Sequence, residues 1–221
     1  MSDFDDKYRQ RLMRLSTTNL ADGLDALNLK GATYGIRPLW EGAGKIAGRA
    51  VTIKVAAAGS TQSKSHLGVK AIEAAVAGDV IVIDNGGRLD TSCWGGILAN
   101  GAKMKSISGV VVDGAVRDLD DCIDVQFPVY ARGTVVATAR GRIVEEATNV
   151  AIQFAGVPVQ PGDIVMGDRS GVVIIPQERF DETLAKAEAF YEKEAQMVAE
   201  IRGGASTLAV DTKFNYEKML K

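Results

Sequence analysis

Residues 109–118 have the sequence GVVVDGAVRD, in which an apolar run leads directly into charged residues. The run 109–112 is typical of a strand that is buried on both faces. Asp113, Arg117 and Asp118 follow it at once. Because ligand sites of α/β proteins lie just beyond the carboxyl ends of strands, the stretch predicts a polar site at the end of a buried strand.

The chain around this strand repeats the order of helix, strand and turn. Residues 65–77 predict a helix ending at Gly78, and residues 79–84 predict a buried strand closed by the turn 85–87. Residues 94–104 predict the next helix. This alternation indicates an α/β fold with a substantial parallel component. Other strands are predicted at residues 46–55 (half-buried), 127–130, 134–138, 151–155, 161–168 and 171–176.

Helices are predicted at both ends of the chain. The first covers about residues 5–27 and is interrupted at 16–19, where Ser16 and its neighbours offer a new N-cap. The last covers about residues 178–203, and a tail follows it. The core lies between them at about 46–176. No linker separates these parts, so we expect a single domain over residues 1–221.

Composition narrows the class of protein. The 221 residues are 46% hydrophobic and 24% charged, with a formal net charge of −2, so nothing attracts nucleic acid or anionic lipid in general. The first residues lack the apolar segment of a signal peptide, and no apolar run is long enough to cross a membrane. The two cysteines do not form a CxxC motif. We expect a soluble, cytoplasmic protein without nucleic-acid or membrane partners.

Several familiar sites are ruled out or disfavoured. His66 is the only histidine, so a histidine-based zinc cluster cannot form within one chain, and we expect His66 to make a local hydrogen bond. The glycines at 42–48 resemble a dinucleotide-binding motif, but the third is one position late and the stretch precedes a strand. Cys93 has no histidine nearby in sequence, and we interpret it as a small buried residue.

The densest group of charges contains Arg117, Asp118 and Asp121. Two carboxylates with water suit Mg²⁺ or Mn²⁺, and an adjacent arginine can bind a carboxylate or oxo group of a substrate. The alternative is a helix start in which Asp118 is the N-cap, while Asp120 and Asp121 face the helix dipole. The residue pattern alone leaves both interpretations open.

A second candidate is the helix start at Gly95-Gly96-Ile97-Leu98. Two glycines leave the backbone N–H groups unshielded, and such groups can bind an anion such as a carboxylate. Taken alone, two glycines before a helix are more often a turn.

Four motifs together resemble a known family. They lie at residues 78–80, 94–99, 109–118 and 161–163, within a similarity that runs from about 15 to 203. The chain resembles the RraA-like proteins and the class II 4-hydroxy-4-methyl-2-oxoglutarate/4-carboxy-4-hydroxy-2-oxoadipate aldolases. Gly96, twenty further residues, then Arg117-Asp118, two residues and Asp121 match the aldolase-type signature of this family.

The resemblance implies a compact layered α/β/β/α fold of the swivelling-domain type, with parallel and antiparallel strands. It implies homotrimers or hexamers with sites between subunits. Asp118 and Asp121 would form the divalent-metal site, Asp118 binding the metal and Asp121 supporting its water shell. Arg117 would be the catalytic residue and contact the pyruvate oxygen. The substrate carboxylate would bind at Gly96, Ile97 and Leu98, chiefly at the amides of the last two.

The implied activity is a metal-dependent pyruvate aldolase acting on 4-hydroxy-2-oxo acids, with oxaloacetate decarboxylation through the same enolate. One position departs from the family, since aldolases often have an acidic residue where this chain has Gly96. Aldol cleavage would then need a substitute such as Asp113. Two alternatives are a lyase for a different 2-oxo or hydroxy acid, and an RraA-type regulator that binds and inhibits an RNA-degrading endonuclease.

Overall fold

An eight-stranded sheet forms the centre of the computed structural model, which describes residues 6–60 and 65–216. Its strands stand in the order β1-β5-β4-β3-β2-β9-β10, and β6 pairs with β2 beside this path. They are β1 (Arg37–Pro38), β2 (Ile46–Ala57), β3 (Val80–Ser92), β4 (Gly109–Val116), β5 (Val129–Thr134), β6 (Ile143–Thr148), β9 (Ile164–Asp168) and β10 (Gly171–Ile175). A separate hairpin consists of β7 (Ile152–Phe154) and β8 (Val157–Val159).

The sheet is mixed in direction. Strands β2, β3, β4 and β5 are parallel neighbours, whereas β1, β6, β9 and β10 pair antiparallel. The edge strands β1 and β10 contact each other, so the sheet is nearly closed. The predicted α/β fold with parallel and antiparallel strands is therefore confirmed.

The helices are distributed around this sheet. They are α1 (Asp6–Arg14), α2 (Thr17–Asp25), α3 (Val69–Ala74), α4 (Gly96–Met104), α5 (Leu119–Asp124), α6 (Phe180–Arg202) and α7 (Thr207–Phe214). None of the helices within 6–60 and 65–216 combines the length and apolarity needed to cross a membrane.

Three apolar clusters hold the layers together. On one face of the parallel strands, α3, α4 and α5 pack against side chains such as Ile81 and Val112. On the other face, the β7-β8 hairpin covers side chains such as Val82 and Val111. The alternation of Val110, Val111 and Val112 between these two clusters explains why the run 109–112 contains no polar residue.

The third cluster joins the two ends of the chain, because α2 and α6 pack together against β9 and β10. Helix α2 begins as predicted: Ser16 is its N-cap, and Ser16 and Asn19 form a reciprocal capping box. Helix α6 confirms the prediction of a long last helix, and the tail after it contains the short helix α7.

A Gly-Asp pair forms the same kind of turn immediately before β3 and before β9. Gly78 and Gly162 have left-handed φ angles of 89° and 92°. Asp79 accepts a hydrogen bond from the Val76 amide, and Asp163 accepts one from the Gln160 amide, each three residues back. Each aspartate closes the turn that leads into its strand.

Two predictions of local structure near the site were wrong. The helix predicted at 65–77 is only Val69–Ala74, because Gly68 before it has a φ of 91° and Ala75 after it is extended. The strand predicted to close at 85–87 continues to Ser92, with register shifts between Asp84 and Arg88 and between Arg88 and Ser92. Pairing with β4 on the far side of these irregularities keeps the strand in the sheet.

The strand-rich second half also differs in detail. Residues 135–138 are not a strand, whereas β6 and β8 were not predicted. The strand predicted as half-buried at 46–55 is buried on both faces over residues 46–48 and 50–53, because β2 lies in the middle of the sheet.

Candidate active site

The end of β4 is joined to the loop between β3 and α4 by two backbone hydrogen bonds. The Cys93 amide donates to the Ala115 carbonyl at 3.1 Å, and the Arg117 amide donates to the Trp94 carbonyl at 3.0 Å. Trp94 is buried and stacks on Phe127. These contacts bring the start of α4 beside Arg117 and Asp118, two motifs that are 20 residues apart in sequence.

Asp118 has a left-handed backbone conformation, with φ 52° and ψ 45°. It precedes α5 at the N-cap position, but its side chain makes no capping hydrogen bond. Instead its Oδ2 accepts a hydrogen bond from the Gly96 amide at 3.3 Å. Asp118 is therefore the N-cap by position but does not cap α5 with its side chain, and Asp120 and Asp121 lie in the first turn of α5 as that alternative expected.

The two glycines at the start of α4 are required by the carboxylates beside them. A Cβ atom at Gly95 would lie 2.6 Å from Oδ2 of Asp118. A Cβ atom at Gly96 would overlap the carboxylate of Asp121 and lie 2.6 Å from its Cβ. Both predicted metal-binding carboxylates therefore converge on this one helix start, and no side chain fits at residue 96 without displacing Asp121.

Arg117 lies next to Asp118, with 3.4 Å between its Nε and Oδ2 of the aspartate. About a third of the Arg117 side chain is exposed, and 38% of the Asp118 side chain. A partly exposed pair of this length is weak, so both side chains remain able to bind a ligand. The guanidinium has further N–H donors besides Nε for a substrate oxygen.

The first turn of α4 offers backbone donors. Gly95 is its N-cap and supplies no side-chain acceptor, so the first amides have no partner within the helix. The Gly96 amide donates to Asp118, which leaves the Ile97 and Leu98 amides as the donors for an anion. The Leu98 side chain is buried, whereas the Ile97 side chain is 73% exposed.

These groups line a cavity of about 520 Å³. Arg117, Asp118, Ile97 and Leu98 belong to its wall, whereas Asp121 lies behind Gly96 and does not. The described residues that line it are Ser65, His66, Leu67, Ser92, Cys93, Trp94, Gly95, Ile97, Leu98, Arg117, Asp118, Thr138, Ala139, Arg140, Gly141, Ile143 and Val144.

The cavity offers few protein ligands to a divalent cation. Among residues 6–60 and 65–216, no group of three or more His, Cys, Asp or Glu side chains could hold a metal ion. Mg²⁺ is commonly held by one or two carboxylates and keeps several waters. Asp118 faces the cavity, and Asp121 lies behind Gly96. This arrangement suits a cation that keeps several waters, but not a cation whose ligands all come from the protein.

Asp113 does not lie with these groups. It lies on the sheet face that the β7-β8 hairpin covers, and its carboxylate accepts hydrogen bonds from Arg132 Nε and from the Ala155 amide at 2.9 Å. It is buried and absent from the cavity wall. The suggestion that Asp113 replaces the missing acidic residue at Gly96 is therefore wrong.

Cys93 and His66, to which the sequence assigned no chemical role, both line the cavity. Cys93 is fully buried, and burial raises the pKa of its thiol far above the usual value, which agrees with its interpretation as a buried residue. Arg140 also lines the cavity. The sequence did not predict that His66 and Arg140 line the cavity, because both lie in loops whose position depends on contacts between residues distant in sequence.

Comparison with known proteins places the chain in a family. The matching family model, described as RraA-like and Aldolase/RraA, covers residues 17–174. Protein DlpA of Legionella pneumophila is 31% identical over 95% of this chain, which spans only 34% of DlpA. The 4-hydroxy-4-methyl-2-oxoglutarate aldolase of Thermus thermophilus is 32% identical over 75% of this chain and 94% of that protein.

A solved structure supports the same family. RraAS2 of Streptomyces coelicolor, described as an unusual member of the RNase ES inhibitor RraA protein family, superposes with a TM-score of 0.78. It is 25% identical, over 90% of this chain and 98% of that one. The chain therefore belongs to the RraA-like family, as its motifs suggested. Relatives are named as aldolases or as ribonuclease inhibitors, and the aldolase names support a lyase at the level of the family.

Proposed function

We propose that the protein is a divalent-metal-dependent lyase that releases pyruvate from 4-hydroxy-2-oxo acids such as 4-hydroxy-4-methyl-2-oxoglutarate. The observation that carries the proposal is the convergence of Arg117, Asp118 and the free amides of α4 on one cavity. A binding module needs no such set, whereas a reaction through an enolate needs a group for the substrate carboxylate and a group for the developing negative charge.

Each group has a role set by its position. The Ile97 and Leu98 amides bind the 1-carboxylate of the 2-oxo acid at the positive end of α4. Arg117 donates to the 2-oxo oxygen, which becomes negative as the enolate forms. Asp118 would hold Mg²⁺ or Mn²⁺, with Asp121 supporting its water shell. The cation would supply Lewis-acid stabilisation of the same charge.

The backbone conformation of Asp118 supports a role in binding through the direction that it gives the side chain. The conformation directs the Asp118 carboxylate to the start of α4, and the glycine pair leaves room for it. A purely structural helix start would gain more from an aspartate that caps α5.

Decarboxylation of oxaloacetate is a further activity in the proposal. It breaks a carbon–carbon bond and leaves the electron pair in the same pyruvate enolate, without removal of a proton from a 4-hydroxyl group. The absence of a side chain at Gly96 therefore affects this reaction less than aldol cleavage. We expect oxaloacetate to be turned over even if 4-hydroxy acids are cleaved slowly.

A coupled assay of pyruvate release tests the proposal. The panel contains 4-hydroxy-4-methyl-2-oxoglutarate and oxaloacetate, each with Mg²⁺, with Mn²⁺ and with EDTA. We expect metal-dependent release that falls at least about a hundredfold in Arg117→Gln, the size of effect seen when an oxyanion donor is removed. Release that is unchanged by EDTA or by this substitution would contradict the proposal.

The alternative is a protein regulator, favoured by the similarity to RraAS2, whose description names a ribonuclease inhibitor family. On this alternative the protein binds an RNA-degrading endonuclease without metal. A pull-down with such an endonuclease that is unaffected by EDTA and by Arg117→Gln, together with no pyruvate release, would favour the regulator over the lyase.

A further inference from the structure

Part of the cavity wall is a braced turn at residues 138–142. The Thr138 carbonyl accepts hydrogen bonds from Thr91 Oγ1 at 3.2 Å and from Arg142 Nη1 at 3.0 Å. The Arg142 carbonyl accepts from the Ala58 amide at 2.8 Å. The turn is therefore fixed to the end of β3 and to the loop after β2, and residues 138–141 line the cavity from a defined position.

Arg140 lies in this turn and lines the cavity. No carboxylate within residues 6–60 and 65–216 forms an ion pair with it. Some arginines of the fold are paired with carboxylates, such as Arg11 with Glu188 and Arg132 with Asp113, whereas Arg140, like Arg142, is in no ion pair among the described residues. Arg140 thus keeps its donors for a ligand, in a fork that matches a carboxylate.

The cavity has room for more than a pyruvate unit. Its volume of about 520 Å³ lies within the range of sites that enclose much larger ligands. Among the described residues, the lining contains two arginines, Arg117 and Arg140, and one carboxylate, Asp118. This balance favours anions, and it provides a second positive group besides the one that the 2-oxo head uses.

We propose that Arg140 determines specificity by binding a terminal carboxylate on the distal half of the substrate, so that the site selects 2-oxo diacids over 2-oxo monoacids. The inference rests on the proposed function only in that the 2-oxo head occupies the Arg117 end of the cavity. Arg140 then acts on affinity and leaves the bond-breaking groups unchanged.

The test compares two ligands that the protein does not cleave, 2-oxoglutarate and 2-oxopentanoate, by calorimetric titration in Mg²⁺. They share the 2-oxo acid head and chain length and differ in a terminal carboxylate against a methyl group. We expect wild-type protein to bind the diacid about ten- to a hundredfold more tightly, the effect of one charge-assisted contact. Arg140→Gln should remove this preference while binding of the monoacid changes little.

Arg142→Gln is the matched control. It removes the same charge from the same turn, but Arg142 is not part of the cavity wall and braces Thr138. This variant should keep the diacid preference. Equal loss in both variants would mean that only the turn or the general field matters, and it would overturn the assignment.

Failure of the two proposals can be told apart. Wild-type protein that binds both ligands equally, or binds neither, overturns the role of Arg140, as does a diacid preference that survives Arg140→Gln. A preference that depends on Arg140, without pyruvate release from any 2-oxo acid, supports the role of Arg140 and contradicts the proposed lyase reaction.

Discussion

Replacing Gly96 with alanine tests the contact between α4 and α5 on which the candidate site depends. The new Cβ would overlap the Asp121 carboxylate and lie 2.6 Å from the Asp121 Cβ. Because a Cβ cannot rotate away from its own backbone, α5 must shift to make room. Overpacking of this kind costs about 1–3 kcal/mol of unfolding free energy.

Gly101→Ala provides the control within the same helix. A Cβ at Gly101 would meet Ile72 at 3.8 Å, an ordinary contact, so alanine should stabilise the helix by up to about 1 kcal/mol. The same substitution at two positions of α4 should therefore have opposite signs. The difference between the variants should be about 1–4 kcal/mol.

Urea unfolding monitored by tryptophan fluorescence measures both variants against wild type. Gly96→Ala should also lower metal-dependent pyruvate release more than Gly101→Ala does, because it displaces Asp121. Adding Asp121→Gly should recover part of the lost stability, since it removes the overlapping atoms. If Gly96→Ala is as stable as Gly101→Ala, Asp121 does not lie against the start of α4.

Two further predictions follow from buried titratable groups. Burial raises the pKa of the Cys122 thiol to about 11 and that of Cys93 still further, so both should resist alkylation at pH 8 in native protein and react after denaturation. Rapid labelling of either thiol without unfolding would contradict this burial. Burial also raises the pKa of Asp79 above its value in the unfolded chain. The free energy of unfolding therefore falls as pH rises through the folded pKa of this carboxyl. Asp79→Asn should gain stability relative to wild type between pH 4 and pH 7 in urea titrations, and a gain that shrinks with pH would refute the sign.

The parts of the fold that the sequence predicted are those governed by local pattern. The buried run 109–112, the capping residue Ser16 and the last helix each contain enough information within a few residues. The course of β3 beyond Asp84 does not. Gly86 and Gly87 suggest a turn, and only pairing of Arg88 and Ser92 with β4 keeps the strand in the sheet.

The candidate site likewise contains residues that the sequence predicted and residues that it did not. Arg117, Asp118 and Asp121 could be predicted because ligand sites lie beyond the ends of buried strands. Charged side chains gathered there cost free energy unless they are paired or bind a ligand. The role of Gly96 was misjudged, because its lack of a side chain is a packing requirement imposed by Asp121 across two helices. Arg140 carried no local signal at all, since its place in the cavity wall depends on bonds from Thr91 and Arg142 to Thr138.

The comparison of Asp118→Asn with Asp120→Asn tests the central claim most directly. The two aspartates are two residues apart at the start of α5, but only Asp118 lines the cavity. Asparagine keeps the shape of the side chain and tolerates the left-handed backbone at residue 118. The quantity to measure is Mg²⁺-dependent pyruvate release from 4-hydroxy-4-methyl-2-oxoglutarate and oxaloacetate. We expect Asp118→Asn to lose this activity while Asp120→Asn keeps it, and an Asp118→Asn protein as active as wild type would contradict the account.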